Sequence, residues 1–419
     1  MRAALLAATF VLAPRLLAAG PPTFSVDYVV TIRDDDPAHA HVRWLLAGID
    51  EIESLRLVFR DERSTDVHGT GHLAWRGRAV TWTPGGPYAH LEYTVAIARA
   101  RPPARYDSYA GRNWIATRAL HLFPEINVSF RPGASDPRAR ARLVFHLPHG
   151  WRAAAAGERQ GPRTFAVDEP HKRFDRPRGW ILLGAVDLHV RDVDGMRVTV
   201  AVAPGSQLDP RKLLALLDRT VPLLTAILGP PPPRLLVASA PDPMWHGGLS
   251  GEESFFVNGR IPLRSPDRTS TYLHELFHVW APFHPEVDGR WISEGLAEYY
   301  SLELPHRAGR LTDEQFAKGL ELFARYGRWD VDLSRTREPA ALNNSAPLVL
   351  HLLDRAIAKA SSGQANLDDA VRTLVRRGGT LTTAGLVDAA SHAAGRDLGP
   401  LVDRHVRLGE RPSGPFPRE

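Results

Sequence analysis

Between Phe24 and about Val202, short stretches alternate apolar and polar residues and are separated by turn signals. Segments 25–30, 80–83, 91–96, 141–146 and 197–201 carry the pattern. Successive strand residues point to opposite faces, so this alternation buries one face and leaves the other wet. The spacing predicts an antiparallel β domain over 21–203. The period then changes. Asp209-Pro210-Arg211 opens a helical pattern with Leu213, Leu214, Leu217, Val221 and Leu224 on one side, which Gly229 and prolines 230–233 break. Strands are predicted at 234–239 and 254–257, and helices at 270–280 and 292–304. Beyond 305 the chain reads as all-helical. Thr312 and Gln315 form a capping box for a helix reaching about Tyr326, and helices follow at 346–360, from Asn366 to Gly378, at 382–394 and at 397–408. The expected class is α+β: an N-terminal antiparallel β domain, a mixed domain over 204–304 and a C-terminal all-helical domain over 305–419.

The 419 residues suffice for two or three cores, and 43% hydrophobic with 24% charged residues is a globular balance. A net charge of +5 suggests an anionic partner, but the basic residues are dispersed, and only Lys172, Lys212, Lys318 and Lys359 are lysines. No basic run is interleaved with aromatics, so nucleic acid is not an expected partner. Residues 1–20 join a charged start, an apolar run of about twelve residues and small residues near position 20, which reads as a secretory signal too short to span a bilayer. The expected location is therefore periplasmic or secreted, with no integral membrane segment. With no cysteine in the chain, any metal ligands must be His, Asp or Glu.

The chemistry concentrates at His274-Glu275-Leu276-Phe277-His278, with Glu294 sixteen residues further on. Helical residues at i and i+4 share a face, so both imidazoles can bind one ion while Glu275 stands beside its open position. A shuffled chain of this composition would show such a motif about once in thirty trials, so the second helix decides the matter. It offers Glu294, one turn before Glu298. The rival third ligand is His284, at metzincin spacing, but Ala281 and Pro282 replace the glycine that turn requires, and no methionine follows Met244. The expected ligands are His274, His278 and Glu294 around one Zn²⁺ per chain. Glu275 is the expected base, and Glu298 orients a ligand imidazole or is an ordinary surface glutamate.

These segments resemble the gluzincin peptidases, in particular the glycyl aminopeptidase family. The resemblance is carried by Gly247-Gly248-Leu249, by the run from His274 to Trp280, by Trp291 to Tyr300, and by Arg307-Ala308-Gly309-Arg310-Leu311-Thr312-Asp313-Glu314-Gln315-Phe316. It implies a thermolysin-like catalytic domain and a peptide or protein substrate bound along Gly247, Gly248, Leu249 and Ser250. Three departures stand out. The family's amine-binding Glu is Ser250 here, with Glu252 and Glu253 nearby but out of register. Its oxyanion tyrosine is replaced near Asn343-Asn344, leaving Asn343, Asn344 or Tyr326 as donors. The chain also stops before a PDZ domain. The expectation is a zinc peptidase, aminopeptidase-like, with an endopeptidase or a catalytically impaired peptide binder as alternatives. A serine hydrolase is disfavoured because Gly248-Leu249-Ser250-Gly251-Glu252 lacks the second glycine of the nucleophile elbow. The sequence leaves the oligomeric state open.

Overall fold

The computed structural model describes residues 23–135, 137–169 and 172–412, so the expected leader at 1–20 lies outside the described residues. The N-terminal half holds sheets of seven, five and four strands around a core that includes Tyr28, Trp44 and Trp82. Alternation predicted these strands, and Thr23–Ile32 buries every second side chain. Among the strand pairs of this half, one departs from the expected antiparallel pattern. Thr23–Ile32 and Arg138–His146 pair in parallel, which makes the seven-stranded sheet mixed. A parallel pair needs a long crossover, and here the intervening chain builds most of the other two sheets first.

A second unit follows, a five-stranded sheet whose strands lie in the order Asp187–Val193, Met196–Val202, Arg234–Ala240, Ser254–Asn258 and Gly248–Gly251. Its first two strands lie upstream of the boundary expected at 203. The central strands run parallel and bury nearly every residue, so they read as continuous apolar runs. Leu235, Val237, Phe255 and Val257 face a core containing Leu213, Leu217, Val221 and Leu224 of helix Pro210–Leu228. Leu236, Ala238 and Phe256 face the opposite way and pack against Trp114 and Trp180 of the β domain, with Trp180 stacked on Phe256 at 4.9 Å. The sheet is thereby held against the N-terminal domain, and Gly248–Gly251 forms its outer edge.

The rest is helical. The motif helix Thr271–Trp280 packs on the longer helix Arg290–Arg307, which lies against Ala346–Ala360. Thr312, Asn366 and Thr382 cap the helices that follow them. Two departures from the expected pattern occur. A π-helical turn at Ala341–Ser345 leads into Ala346–Ala360, and the last expected helix is four residues, Gly399–Val402, followed by another π turn. Among the described residues, no helix is long and apolar enough to cross a membrane.

Candidate metal centre

The motif helix buries Tyr272, Leu273, Leu276 and Phe277 in the core, which turns His274 and His278 toward the helix Arg290–Arg307. That helix buries Trp291, Ile292, Leu296 and Tyr299 and presents Glu294 and Glu298 back toward the histidines. Three atoms converge. His274 Nε2 and His278 Nε2 are 3.1 Å apart, and Glu294 Oε2 lies 3.6 Å from the first and 3.5 Å from the second. Tetrahedral ligands bound to zinc at about 2.0–2.1 Å stand roughly 3.3 Å from one another, so this triangle fits the ion. Among the described residues these three form the group that can hold a metal. His284 is elsewhere, exposed and paired in a two-residue strand with Thr380.

Glu298 Oε2 lies 2.7 Å from His274 Nδ1, so in the neutral ring the proton sits on Nδ1 and Nε2 turns its lone pair to the triangle. Burial alone would lower the His274 imidazole, but Glu294 and Glu298 together raise it well above its usual range. Burial likewise opposes ionisation of Glu294, yet the two imidazoles hold its carboxyl well below the carboxylate range.

Glu275 is 7% exposed, and burial raises its carboxyl above the usual value against the lowering pull of both histidines. It packs on the edge strand. A Cβ at Gly248 would stand 2.7 Å from Glu275 Cδ, so a glycine is required for this approach. The Ser250 backbone N–H donates to the same carboxylate.

The strand's outward groups can be assigned. Asn258 N donates to Gly247 O at 3.1 Å, so by antiparallel alternation Gly248 and Ser250 turn their backbone groups away from Ser254–Asn258. Those of Ser250 are taken, its N–H by Glu275 and its carbonyl by Arg118 Nη2. Gly248 is the other residue of this strand whose backbone groups turn outward.

A cleft of about 620 Å³ joins these parts, lined by Gly247 to Ser250, by His274, Glu275, His278, Glu294 and Glu298, and by Asn343. Asn344 instead donates to Ala340 O, and Tyr326 is 58% exposed and lies outside the lining. Glu252 and Glu253 also lie outside it, Glu253 being paired with Arg234 at 3.3 Å. Sequence reasoning missed Arg118, Arg101 and Trp245. Arg118 comes from the β domain, where His121 is buried, 2.5 Å from Ser108 Oγ. No local pattern signals either residue, because the cleft forms between distant segments.

No protein-family profile matches the chain, and no curated protein matches it by sequence. Solved structures do. An aminopeptidase N family protein from Idiomarina loihiensis aligns at 15% identity with a TM-score of 0.71, over 93% of this chain and 77% of that one. An M1 zinc metallopeptidase from Deinococcus radiodurans, as a mutant bound to a Tyr-Ser-Ala substrate, aligns at 16% identity and 0.62 over 95% and 96%. Legionella pneumophila aminopeptidase A, in complex with aspartic acid, aligns at 12% and 0.56 over 94% and 50%. At these identities the likeness establishes the fold.

Proposed function

We infer that this chain is a zinc-dependent peptidase, on the aminopeptidase-like plan of the neighbours it resembles. The observation that carries the reading is the triangle of two imidazole nitrogens and one carboxylate oxygen, 3.1 to 3.6 Å on a side, next to a buried carboxylate. His274, His278 and Glu294 would hold Zn²⁺, which when bound supplies Lewis acidity and brings the pKa of water toward ~7. Glu298 holds His274 in the tautomer that binding needs. Glu275 accepts the proton of the attacking water at its carboxylate and hands it to the leaving amine nitrogen. Its raised pKa suits both halves of that transfer, since a base that is too acidic would not take the proton. An extended peptide would meet the edge strand at Gly248, and Asn343, which lines the cleft, would donate to a developing oxyanion.

The test is Glu275→Gln. The amide cannot accept the proton, so the variant should bind zinc as the parent does and hydrolyse peptides at least a hundredfold more slowly. Near-parental turnover would remove Glu275 from the reaction.

The endopeptidase alternative gains support from one feature. The amine-binding acid of the resembled family is Ser250 here, and Glu252 and Glu253 are not among the residues that line the cleft. Arg118 stands there instead, and among the described residues no carboxylate lies within 4.0 Å of its guanidinium, which donates to Ser250 O beneath the Trp180 ring. A substrate ammonium has a poor partner on this side.

A further inference from the structure

Two arginines line the cleft, and only one of them is matched by an anion. Arg101 pairs with Asp107 at 3.0 Å, and its guanidinium stands 4.0 Å from the centre of the Trp245 ring. Arg118 is half-buried, and among the described residues no carboxylate lies within 4.0 Å of it. Asp107, Glu252 and Glu275 attract it only from further away, and burial holds its guanidinium below the usual arginine range. A cation taken partly out of water without a partner is costly, so an anion brought to it would recover part of that cost.

The edge strand fixes where this cation stands. Ser250 O turns away from Ser254–Asn258, so the guanidinium that donates to it lies beyond the strand's outer edge, where an added peptide would run. The Ser250 N–H turns the same way and donates to Glu275. Glu275 and Arg118 therefore hold the two outward groups of one residue, about one peptide unit apart. A guanidinium has five N–H donors, and the bond to Ser250 O uses one of them, with the Trp180 ring centre 5.4 Å from the guanidinium carbon. The remaining donors form a planar fork that matches a carboxylate. We propose that Arg118 binds a substrate carboxylate beside the scissile bond, so that the cleft selects acidic peptides. The inference rests on reading the cleft as a peptide site and names its substrate class. An aspartate or glutamate side chain would supply the group, or the terminal carboxylate of a short peptide.

Binding is measured calorimetrically on the zinc-loaded Glu275→Gln protein, which should hold peptides uncut. The ligands are short alanine peptides, amidated at the C-terminus, with a single glutamate or glutamine walked along the chain. At one position or more, glutamate should bind about fivefold or more tighter than glutamine, the difference between a charge-assisted and a neutral hydrogen bond. Adding Arg118→Gln should erase that ratio, and adding Arg118→Lys should keep part of it. A role confined to holding the edge strand would weaken both peptides alike and leave the ratio intact. The all-alanine peptide with a free C-terminus, compared with its amide, reads the other source. A gain there that Arg118→Gln removes, with none from glutamate, assigns the site to a terminal carboxylate. The proposal fails if neither source improves binding, or if Arg118→Gln leaves the gain in place. The same peptides are then given to the parent protein, whose product masses should place the preferred glutamate beside the cut. Cleavage without any acid preference would sink this inference and leave the peptidase reading standing, whereas an Arg118-dependent preference without cleavage would do the reverse.

Discussion

His274 is the most constrained side chain in the site, bonded through Nδ1 to Glu298 and facing Glu294 through Nε2. If Glu298 fixes the tautomer, Glu298→Ala should weaken zinc about 10–100-fold in competition with a chromophoric chelator. Glu298→Gln should recover most of that loss, because the amide oxygen still accepts from Nδ1. Equal affinity of parent and alanine variant would return Glu298 to the ordinary surface. A second prediction concerns the substrate's amine. A charge-assisted bond is worth roughly 1.5–3 kcal/mol, so its absence at Ser250 should cost one to two decades of preference for a free N-terminus. Acetylating a peptide's amine should then slow cleavage less than tenfold. If acetylation abolishes cleavage, and Asp267→Asn does the same, the amine's partner is Asp267, which also lines the cleft. The imidazoles and Glu294 were legible because a helix repeats its face every four residues. Asn343 and Arg118 answer to no such period, and tertiary contact alone brings them to the cleft.

The elements that hold the site depend on close packing and a buried ion network. A Cβ at Gly295, next to Glu294, would meet Ala346 Cβ and Leu350 Cδ1 at 2.9 Å each. Gly295→Val should therefore push the Glu294 helix off Ala346–Ala360 and destabilise the protein by about 1–3 kcal/mol, read as a lower urea midpoint at unchanged m value. An unchanged midpoint would show that the two helices have room to spare. Further along the same helix, Arg307 bonds buried Glu303 at 2.8 Å and Asp368 at 2.6 Å, and Tyr300 donates to Asp368 at 2.8 Å. Strong caps and apolar periodicity made most helices readable in the sequence. The mixed sheet was not readable, because its parallel pair joins residues more than a hundred positions apart, and the π turn at Ala341–Ser345 carries no distinguishing composition.

For the whole molecule, two buried histidines tie stability to pH. Burial lowers His351 to about 4 and His121 to about 3, below the usual imidazole value near 6.5. The unfolded chain takes up their protons first, so their contribution is complete above about pH 6.5 and is lost as pH falls toward 4. Each costs roughly 1.4 kcal/mol per pH unit within that window. His351→Gln should narrow the difference between urea midpoints at pH 7 and pH 5, and an unchanged difference would mean that His351 titrates in the fold as it does in water. The metal centre is where sequence, fold and chemistry meet, and zinc content tests it most directly. Elemental analysis of the purified protein should give about one zinc per chain. His274→Ala, His278→Ala and Glu294→Ala should each lose it, while His284→Ala, altered at an exposed strand residue, should retain it. A parent protein without zinc after metal reconstitution, or a Glu294 variant still fully loaded beside a depleted His284 variant, would contradict the account.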